Sequence, residues 1–461
     1  MTPQKNTIAI IGGGLAGLAA GCALADAGLQ VTLFERRPYL GGRASSYEHP
    51  GTGEVVDNCQ HVLLGCCTNL VRFYEQLGVS DKIKWFDALT FIEPGGRASR
   101  ITPSFLPAPL HNMPSFLKAA SLGFRDKLGI ARALSAMMRT RNAPDDPQED
   151  FLAWLRRHKQ TERAIERFWK VVLVSALNED LDRISVRYAV QVFRESFLKS
   201  SGAGKMGVPR IPLSDLYSNA ADYIRQRGGE VLLRCPVNSM DVRETGVKIT
   251  SSGGERTFDH VVLAVPFQVV AALLPSDAAG QALKQKLQTF QASPITGIHL
   301  WFDREITPLP HAVLLDRTIQ WMFQKSKIHN REGSYLELVV SASRTLVEKS
   351  RQEVLDLAMK ELAEFFPAVR EAKVVKAAVI KEVYATYSIL PGLDQYRPGA
   401  RTGWPRLFLA GDWTTTGWPA TMEGAVRSGY LAAEALTESG GAPRKFLVPD
   451  LRARGLMKLF G

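Results

Sequence analysis

A glycine-rich turn near the N-terminus fixes how the fold begins. The chain from residue 7 to residue 35 follows the pattern of a strand, a turn, a helix of small apolar residues and a second strand. In the turn, Gly12, Gly14 and Gly17 form GxGxxG. Such glycines permit the sharp bend, the approach of a pyrophosphate to bare backbone and tight packing of the helix on the strand. Glu35 ends the second strand, where a carboxylate can accept from ribose hydroxyls. The stretch therefore predicts a dinucleotide-binding unit rather than a chance turn.

A second copy of the motif shows that GxGxxG alone does not predict a nucleotide-binding turn. Gly202, Gly204 and Gly207 also spell GxGxxG, but they follow a segment of helix-like composition. Pro209 and Pro212 follow closely, and the start of one helix cannot contain both prolines. This copy is predicted to be a loop.

Composition narrows the class of protein. A chain of 461 residues with 45% hydrophobic residues can hold two domains with large cores. No run approaches the roughly 20 apolar residues of a spanning helix, and the first strand leaves little room for a leader, so we expect a cytoplasmic protein. The five cysteines are odd in number and show no CxxC, which predicts neither a disulfide framework nor a metal site.

The formal net charge of +11 calls for a partner or another explanation. Nucleic acid is not expected, because no helix-turn-helix or aromatic and basic platform is present. Residues 116–141 and 444–460 instead mix basic and large apolar side chains, as interfacial helices do. We expect contact with a membrane, at the inner face of the cytoplasmic membrane. A solvated helix that covers a core is the equal alternative.

The residues after Glu35 extend the predicted binding site. Arg36 follows at once, and Gly41-Gly42-Arg43 comes a few residues later. Two glycines let the backbone pass against a bulky planar ligand, and Arg43 offers a fork of donors for a phosphate. Gly95-Gly96-Arg97 looks similar but lies between two strand-like runs, which predicts a hairpin turn.

A polar cluster follows a short predicted strand. Asp57, Gln60 and His61 fall within five positions, before a helix predicted to begin near Thr68. A histidine beside a carboxylate titrates near neutrality and can handle protons. Alternatively, Asp57 caps the next turn and His61 is a satisfied buried imidazole. The residues alone leave both interpretations open, with a slight preference for the second.

The rest of the chain alternates between segments of the predicted nucleotide-binding fold and insertions. The nucleotide-binding fold is predicted to resume after a long helical insertion and again after a second insertion of strands and helices. The expected architecture is α/β, with a Rossmann-like domain and an inserted α+β substrate domain. The predicted nucleotide-binding domain comprises residues 1–90, 205–268 and 400–440. The predicted substrate domain, with a helical cap, comprises 91–204 and 269–399, and 441–461 form a basic amphipathic tail.

The C-terminal part completes the predicted site. A buried strand stops at Gly411, Asp412 follows as an exposed acceptor, and a helix begins near Met422 after a threonine-rich loop. Asp412 can bind a polyol hydroxyl, and the helix N-terminus can face an electron-rich ring edge or a pyrophosphate. Together with the N-terminal glycine turn, this segment predicts FAD as the cofactor.

These motifs resemble the glycine-doublet FAD oxidoreductases, the amine oxidase and phytoene desaturase superfamily, over nearly the whole chain. The strings at 56–66 (VDNCQHVLLGC) and 409–414 (LAGDWT) resemble most its squalene-associated branch, the hydroxysqualene dehydroxylases of hopanoid precursor synthesis. One departure is Cys59, where that branch usually has glycine. A thiol at this position is expected to alter the floor of the pocket.

The resemblance implies a role for each motif. Gly12, Gly14 and Gly17 would hold the pyrophosphate, and Glu35 the adenosine ribose. Arg36, Gly42 and Arg43 would meet the phosphates or the flavin. Val237 would contact the adenine through its backbone. Gly411 and Asp412 would bind ribityl or phosphate oxygens, and Met422 would lie beside the flavin.

The implied reaction is reductive removal of the allylic hydroxyl of hydroxysqualene, which gives squalene. It needs an apolar tunnel for a long isoprenoid, an acid to release water, a reduced flavin and an external electron donor. Asp57 or His61 is the expected acid. The alternatives are a carotenoid desaturase or an amine oxidase of the same superfamily. A non-catalytic nucleotide-binding scaffold at a membrane surface is the alternative from another class.

Overall fold

The first of two large sheets is parallel and begins with the glycine turn. The computed structural model describes residues 6–140 and 143–460. In this sheet the strands lie side by side in the order Glu230–Leu232, Gln30–Phe34, Thr7–Ile11, His260–Leu263 and Leu407–Leu409. All four pairings are parallel. The sheet confirms the predicted Rossmann-like α/β fold.

Helices pack closely against one face of this sheet. The helix Leu15–Asp26 is buried at every residue except Asp26. The helix Met422–Ser439 packs against it so closely that a Cβ on Gly429 would lie 2.3 Å from the Ala16 carbonyl oxygen. The helix Leu213–Arg225 approaches the same helix near Gly21. The small residues of the first helix therefore permit close contacts between helices.

The strand Glu230–Leu232 joins the parallel sheet beside Gln30–Phe34 and does not pair with the strands that follow it in the chain. A separate antiparallel sheet forms from Val237–Arg243, Gly246–Ser251 and Gly254–Phe258. The strand Gln30–Phe34 pairs with a partner from a distant segment, and the local sequence pattern does not predict such a pairing.

The second large sheet belongs to the inserted substrate domain. Its seven strands lie in the order Val374–Tyr387, Ala292–Phe302, Ser334–Ser341, Trp321–Gln324, His311–Leu314, Leu89–Ile92 and Ala98–Ile101. The hairpin predicted at Gly95-Gly96-Arg97 is confirmed by the antiparallel pairing of the last two. The strand Val374–Tyr387 was not predicted, because many of its residues are exposed and its apolar pattern is weak. The helix Arg351–Phe365 packs against this sheet.

Residues 113–198 form a helical layer. Its core contains the fully buried Trp169 and Phe193, whose ring centres are 4.8 Å apart. The helical segment from Glu162 to Leu177 is continuous, and its middle turn, Ile165–Trp169, is a π-helix. The segments of this layer are Met113–Lys118, Phe124–Arg139, Phe151–Arg157, Glu162–Ala164, Ile165–Trp169, Lys170–Leu177, Val186–Phe193 and Arg194–Leu198.

Short elements complete the described chain. Two small sheets pair Ser46–His49 with Glu54–Asp57, and Met206–Pro209 with both Leu63–Leu64 and Ile83–Phe86. The second GxGxxG copy starts no helix, but its Gly207 lies in a strand rather than a loop. The other helices are Thr68–Gln76, Ser80–Lys82, Leu110–Asn112, Phe267–Leu273, Ala278–Leu287, Lys325–Ile328, Arg344–Val347, Pro367–Arg370, Leu393–Tyr396 and Gly455–Leu459.

The predicted domain boundaries stay predictions, and one of them falls within a strand. The division after residue 90 falls inside the strand Leu89–Ile92, which belongs to the seven-stranded sheet. The tail that was expected to form a basic helix has only the short 3-10 helix Gly455–Leu459 among its described residues. None of the helices at 6–140 and 143–460 has both the length and the apolar character needed to cross a bilayer.

Candidate functional site

The glycine turn opens onto a cavity of about 500 Å³. Gly12 has φ +113°, and a Cβ there would lie 2.4 Å from the Ala264 carbonyl oxygen. Gly14 lines the cavity, and a Cβ on it would meet only the Cα of Gly42, at 3.8 Å. A Cβ on Gly17 would lie 1.9 Å from the Gly12 carbonyl oxygen. Gly12 therefore permits the bend, Gly14 leaves open space for a ligand, and Gly17 permits packing.

Gly17 itself does not line the cavity. A Cβ on Gly17 would meet the turn's own backbone, and the predicted contact of Gly17 with the pyrophosphate stays a prediction. The other ten predicted cofactor residues all line this one cavity: Gly12, Gly14, Glu35, Arg36, Gly42, Arg43, Val237, Gly411, Asp412 and Met422. Segments separated by more than 350 residues thus converge, and the convergence has the composition expected of an FAD site.

The acidic end of the second strand is held in place by backbone donors. Glu35 is buried, and its Oε2 accepts from the Gly13 N–H at 2.7 Å. Its Oε1 accepts from the Arg37 N–H at 2.8 Å. Each carboxylate oxygen keeps a second lone pair, so the side chain is oriented and can still accept from a ribose hydroxyl.

The glycine doublet and the distal aspartate meet directly. Arg43 Nη2 donates to Asp412 Oδ1 at 2.6 Å, and Arg43 Nη1 donates to the Ala385 carbonyl at 3.2 Å. Gly42 has φ +62°, and a Cβ there would lie 2.9 Å from the Cα of Gly14. Arg43 therefore bridges the two predicted flavin-side segments and the substrate sheet, where the sequence had predicted a free donor for phosphate.

Sequence reasoning missed the residue that holds the Asp412 loop. The buried guanidinium of Arg397 donates from Nη2 to the carbonyl oxygens of Asp412, Thr414 and Trp418, at 3.0, 2.5 and 2.9 Å. Its charge is balanced by Asp394 at 3.1 Å. No local motif marks Arg397, because its partners come from a loop further along the chain.

The helix that begins at Met422 closes the other side of the cavity. Thr421 caps it, since its Oγ1 accepts from the Gly424 N–H at 3.1 Å. The exposed N–H groups of the first turn and the helix dipole favour an electron-rich ligand. Val237 lies at the far end, where the strand Val237–Arg243 begins.

The polar cluster at Asp57 forms part of a buried charge network. Lys325 Nζ lies 2.7 Å from Asp57 Oδ2, 2.8 Å from Gln60 Oε1 and 3.3 Å from Glu337 Oε2. Lys325, Asp57 and Glu337 are all buried, and the Ser46 hydroxyl also donates to Asp57 at 2.5 Å. Neither Lys325 nor Glu337 was a candidate from the sequence, because 268 residues separate Asp57 from Lys325.

Burial and the contacts within the network shift the pKa values of its two carboxyl groups in opposite directions. Burial alone would raise the pKa of Asp57, but the Lys325 ammonium and the Ser46 bond outweigh it and lower that pKa. Burial raises the pKa of Glu337 to about 7, in spite of Lys325. Asp57 is therefore ionised at neutral pH and does not line the cavity. This contradicts its predicted role as proton donor, because an ionised carboxylate has no proton to give.

His61 remains a candidate for handling protons. It lines the cavity, and its Nδ1–H donates to the Cys59 carbonyl oxygen at 2.7 Å. Burial lowers the pKa of His61, so the imidazole is neutral at pH 7. With the proton on Nδ1, the neutral ring keeps Nε2 as a proton acceptor. Cys59, the departure from the branch pattern, also lines the cavity.

A second cavity of about 190 Å³ adjoins the first. Both cavities are lined by Val62, Ser175, Ala176, Thr421 and Met422. The second is surrounded mainly by carbon, from residues that include Leu64, Leu70, Phe91, Val172, Phe197 and Trp321. An apolar space thus begins beside the predicted position of the flavin.

Known proteins resemble this chain over most of its length. The family described as flavin-containing amine oxidoreductase matches residues 15–437. The 15-cis-phytoene desaturase of Synechococcus elongatus is 28% identical over 453 residues, covering 93% of this chain and 95% of that protein. A probable zeta-carotene desaturase of the same organism is 26% identical over 476 residues, covering 94% and 98%. The structure of cyclohexylamine oxidase from Brevibacterium oxydans superposes with a TM-score of 0.69 at 18% identity, covering 95% and 100% of the two chains.

Proposed function

Since the chain belongs to the family of flavin-containing amine oxidoreductases, with FAD as its cofactor, we propose that it is an oxidoreductase of long apolar isoprenoids. One observation carries the proposal. The apolar cavity joins the cofactor cavity at Val62, Ala176 and Met422, so an extended hydrocarbon could reach the flavin end from that side. The names of the phytoene and zeta-carotene desaturases, which are similar over 93% and 94% of the chain, support an isoprenoid substrate.

The residues proposed to bind FAD come from the N-terminal glycine-rich segments and from the C-terminal segment around Asp412. In this proposal Gly14 and the backbone beside it receive the pyrophosphate, and Glu35 accepts from the adenosine ribose. Asp412, held by Arg43 and Arg397, accepts from the ribityl chain, and Met422 lies beside the ring. Bound FAD supplies two-electron chemistry.

For the reaction itself we propose reductive dehydroxylation of hydroxysqualene to squalene. Two electrons and two protons replace the C–O bond by a C–H bond and release water, and the electrons come from an external donor that reduces the flavin. The strings at 56–66 and 409–414 support this choice, and the first of them contributes Asn58 through Val62 to the cavity wall. His61 remains the candidate acid, and to act as one its Nε2 must first take up a proton.

Carotenoid desaturation is the second candidate, and two observations favour it. The two similar proteins of Synechococcus elongatus are desaturases by name. In addition, a neutral His61 with its Nδ1–H donated to Cys59 can accept the proton that a desaturation releases. The two reactions use opposite redox states of the cofactor, which makes them separable.

Anaerobic flavin spectroscopy tests the proposal. We expect the reduced protein to be reoxidised by hydroxysqualene with stoichiometric formation of squalene, and the oxidised protein to be unaffected by phytoene. Bleaching of the oxidised protein by phytoene, with no response to hydroxysqualene, would establish the second candidate instead. If neither compound changes the flavin spectrum, the isoprenoid proposal is wrong.

The role of His61 has its own test. We expect His61→Ala to lower turnover of the reduced protein at least about tenfold, within the range typical of a lost acid or base. The FAD content should stay unchanged, since His61 bonds only within its own segment. Asp57→Asn should act mainly on stability. Full turnover in His61→Ala would remove this residue from the mechanism.

A further inference from the structure

One face of the molecule combines exposed apolar and basic side chains. We call the two segments that form it, residues 102–139 and 451–460, the docking surface. Its exposed apolar side chains include Phe105, Phe124 and Leu459, which are 96%, 79% and 78% exposed. Met113, Leu117, Leu128 and Leu456 are also exposed. This is an unusual concentration of large apolar groups in contact with water.

The helix Phe124–Arg139 presents these groups in a regular way. Phe124, Arg125, Leu128, Arg132 and Arg139 are exposed, whereas Asp126, Ile130, Ala133 and Met137 are buried. The spacing of the exposed set follows one face of a helix. Arg141, the last residue of the predicted amphipathic segment, lies outside the described residues.

Direct contacts hold the two segments together as one surface. The Leu456 N–H donates to the Ala108 carbonyl at 2.8 Å, and Met457 packs with Ala108 and Leu198. Leu134 and Met138 of the helix Phe124–Arg139 pack against the same cluster. The C-terminal segment is therefore fixed against the helix and the loop before it.

The exposed charged side chains of the docking surface are all basic. Its exposed charged residues are Lys118, Arg125, Arg132, Arg139, Arg452, Arg454 and Lys458. Asp126 is the sole acidic residue in the two segments, and it is buried, where it accepts from the Gly123 N–H and the Thr161 hydroxyl. Apolar groups flanked by cations without exposed acids complement an anionic lipid surface.

The docking surface also adjoins the wall of the apolar cavity. The Phe116 ring packs edge-on against Phe168, with 5.7 Å between the ring centres. Phe168 lies in the helix that continues to Val172, and Val172 lines the apolar cavity. The layer of side chains between this face and the cavity is therefore thin.

From these observations we propose that the docking surface binds the interface of an anionic phospholipid bilayer. The apolar side chains enter the boundary between headgroups and acyl chains, and the lysines and arginines meet lipid phosphates. This proposal does not depend on which reaction the protein catalyses. If the isoprenoid proposal also holds, the surface places the apolar cavity next to the phase in which such a substrate dissolves.

Co-sedimentation with lipid vesicles tests the proposal on the full-length holoprotein. We expect binding to vesicles of phosphatidylcholine and phosphatidylglycerol, at least about tenfold weaker binding to phosphatidylcholine alone, and weakening at high salt. The double variant Phe124→Ser/Leu128→Ser and the double variant Arg125→Glu/Arg132→Glu should each reduce binding at least about tenfold. Tyr384→Ser is the matched control, since Tyr384 is exposed on a strand of the substrate sheet.

Three outcomes would overturn the proposal. Binding that is equal on both vesicle types and unaffected by salt would remove the charge argument. Binding that the surface variants leave unchanged would place the contact elsewhere. A dimer in gel filtration that the same variants dissociate would show that a second copy covers this face. The vesicles contain no isoprenoid, so these results are independent of the flavin assay, and retained FAD absorbance verifies that each variant is folded.

Discussion

At the scale of single residues, two glycines of the turn have different roles, Gly14 in cofactor binding and Gly17 in folding. We expect Gly14→Ala to change the stability of the apoprotein by less than about 0.5 kcal/mol, because its φ of −78° suits alanine and only Gly42 Cα lies near the new methyl group. The methyl group would occupy the ligand space, so the dissociation constant for FAD should rise at least about tenfold. Titration of the apoprotein with FAD measures this effect.

Gly17→Ala should show the opposite pattern. Its Cβ would lie 1.9 Å from the Gly12 carbonyl oxygen, so the helix must shift, at a cost of about 1–3 kcal/mol or more in the free energy of unfolding. Gly28→Ala is the control for backbone strain, since its φ is +84° with no neighbouring atom within 4 Å. Thermal unfolding of the apoproteins compares them. Equal stability of Gly14→Ala and Gly17→Ala would contradict the assigned roles.

Glu337 predicts a pH dependence of stability. Burial raises its pKa from 4.5 to about 7, so between these values the folded state binds more protons than the unfolded state. Its contribution is therefore complete below about pH 4.5 and is lost as the pH rises to about 7, which amounts to about 3 kcal/mol. Glu337→Gln imitates the protonated carboxyl, so the variant should lack this decline.

Urea unfolding at pH 5 and pH 8 gives the comparison for Glu337. Other groups that face the network, including His299 and His329, titrate in both proteins and cancel in the difference. The wild type should lose more stability than Glu337→Gln between the two pH values. An identical change in both proteins would mean that Glu337 is ionised throughout.

At the scale of elements, the loop from Asp412 to Trp418 depends on one side chain. Arg397→Met removes the guanidinium that binds three carbonyl oxygens of this loop and leaves Asp394 without that partner. We expect a loss of about 3–5 kcal/mol in the free energy of unfolding and weaker FAD binding. Arg401→Met, which removes an exposed pair with Glu438, should cost less than about 1 kcal/mol.

The elements also show why parts of the fold escaped prediction. The strand Thr7–Ile11 and the helix Leu15–Asp26 follow local patterns, and both lie within the predicted strand, turn and helix of residues 7–35. The strand Val374–Tyr387 pairs along most of its length with Ala292–Phe302, yet many of its own residues are exposed. Because pairing rather than burial holds it, its sequence carries little periodicity.

At the scale of the whole molecule, the two cavities meet beside Ala176 on the helix Lys170–Leu177. Ala176→Trp should fill the junction and abolish turnover of a long isoprenoid, while FAD content and reduction by dithionite stay unchanged. Arg163→Trp is the control, since Arg163 lies exposed on the same continuous helix. If Ala176→Trp keeps full turnover, the substrate does not pass through this junction.

By itself, the sequence determined the parallel nucleotide-binding sheet, the FAD cofactor and ten residues that share its cavity. These features depend on local requirements, such as a glycine where a Cβ would clash and an acid at the end of a strand. The tertiary structure alone decided the partners of Asp57, the role of Arg397 and the junction of the two cavities. Each of these depends on side chains from distant segments. Their proximity is set by how the two sheets pack, and no spacing along the chain records it.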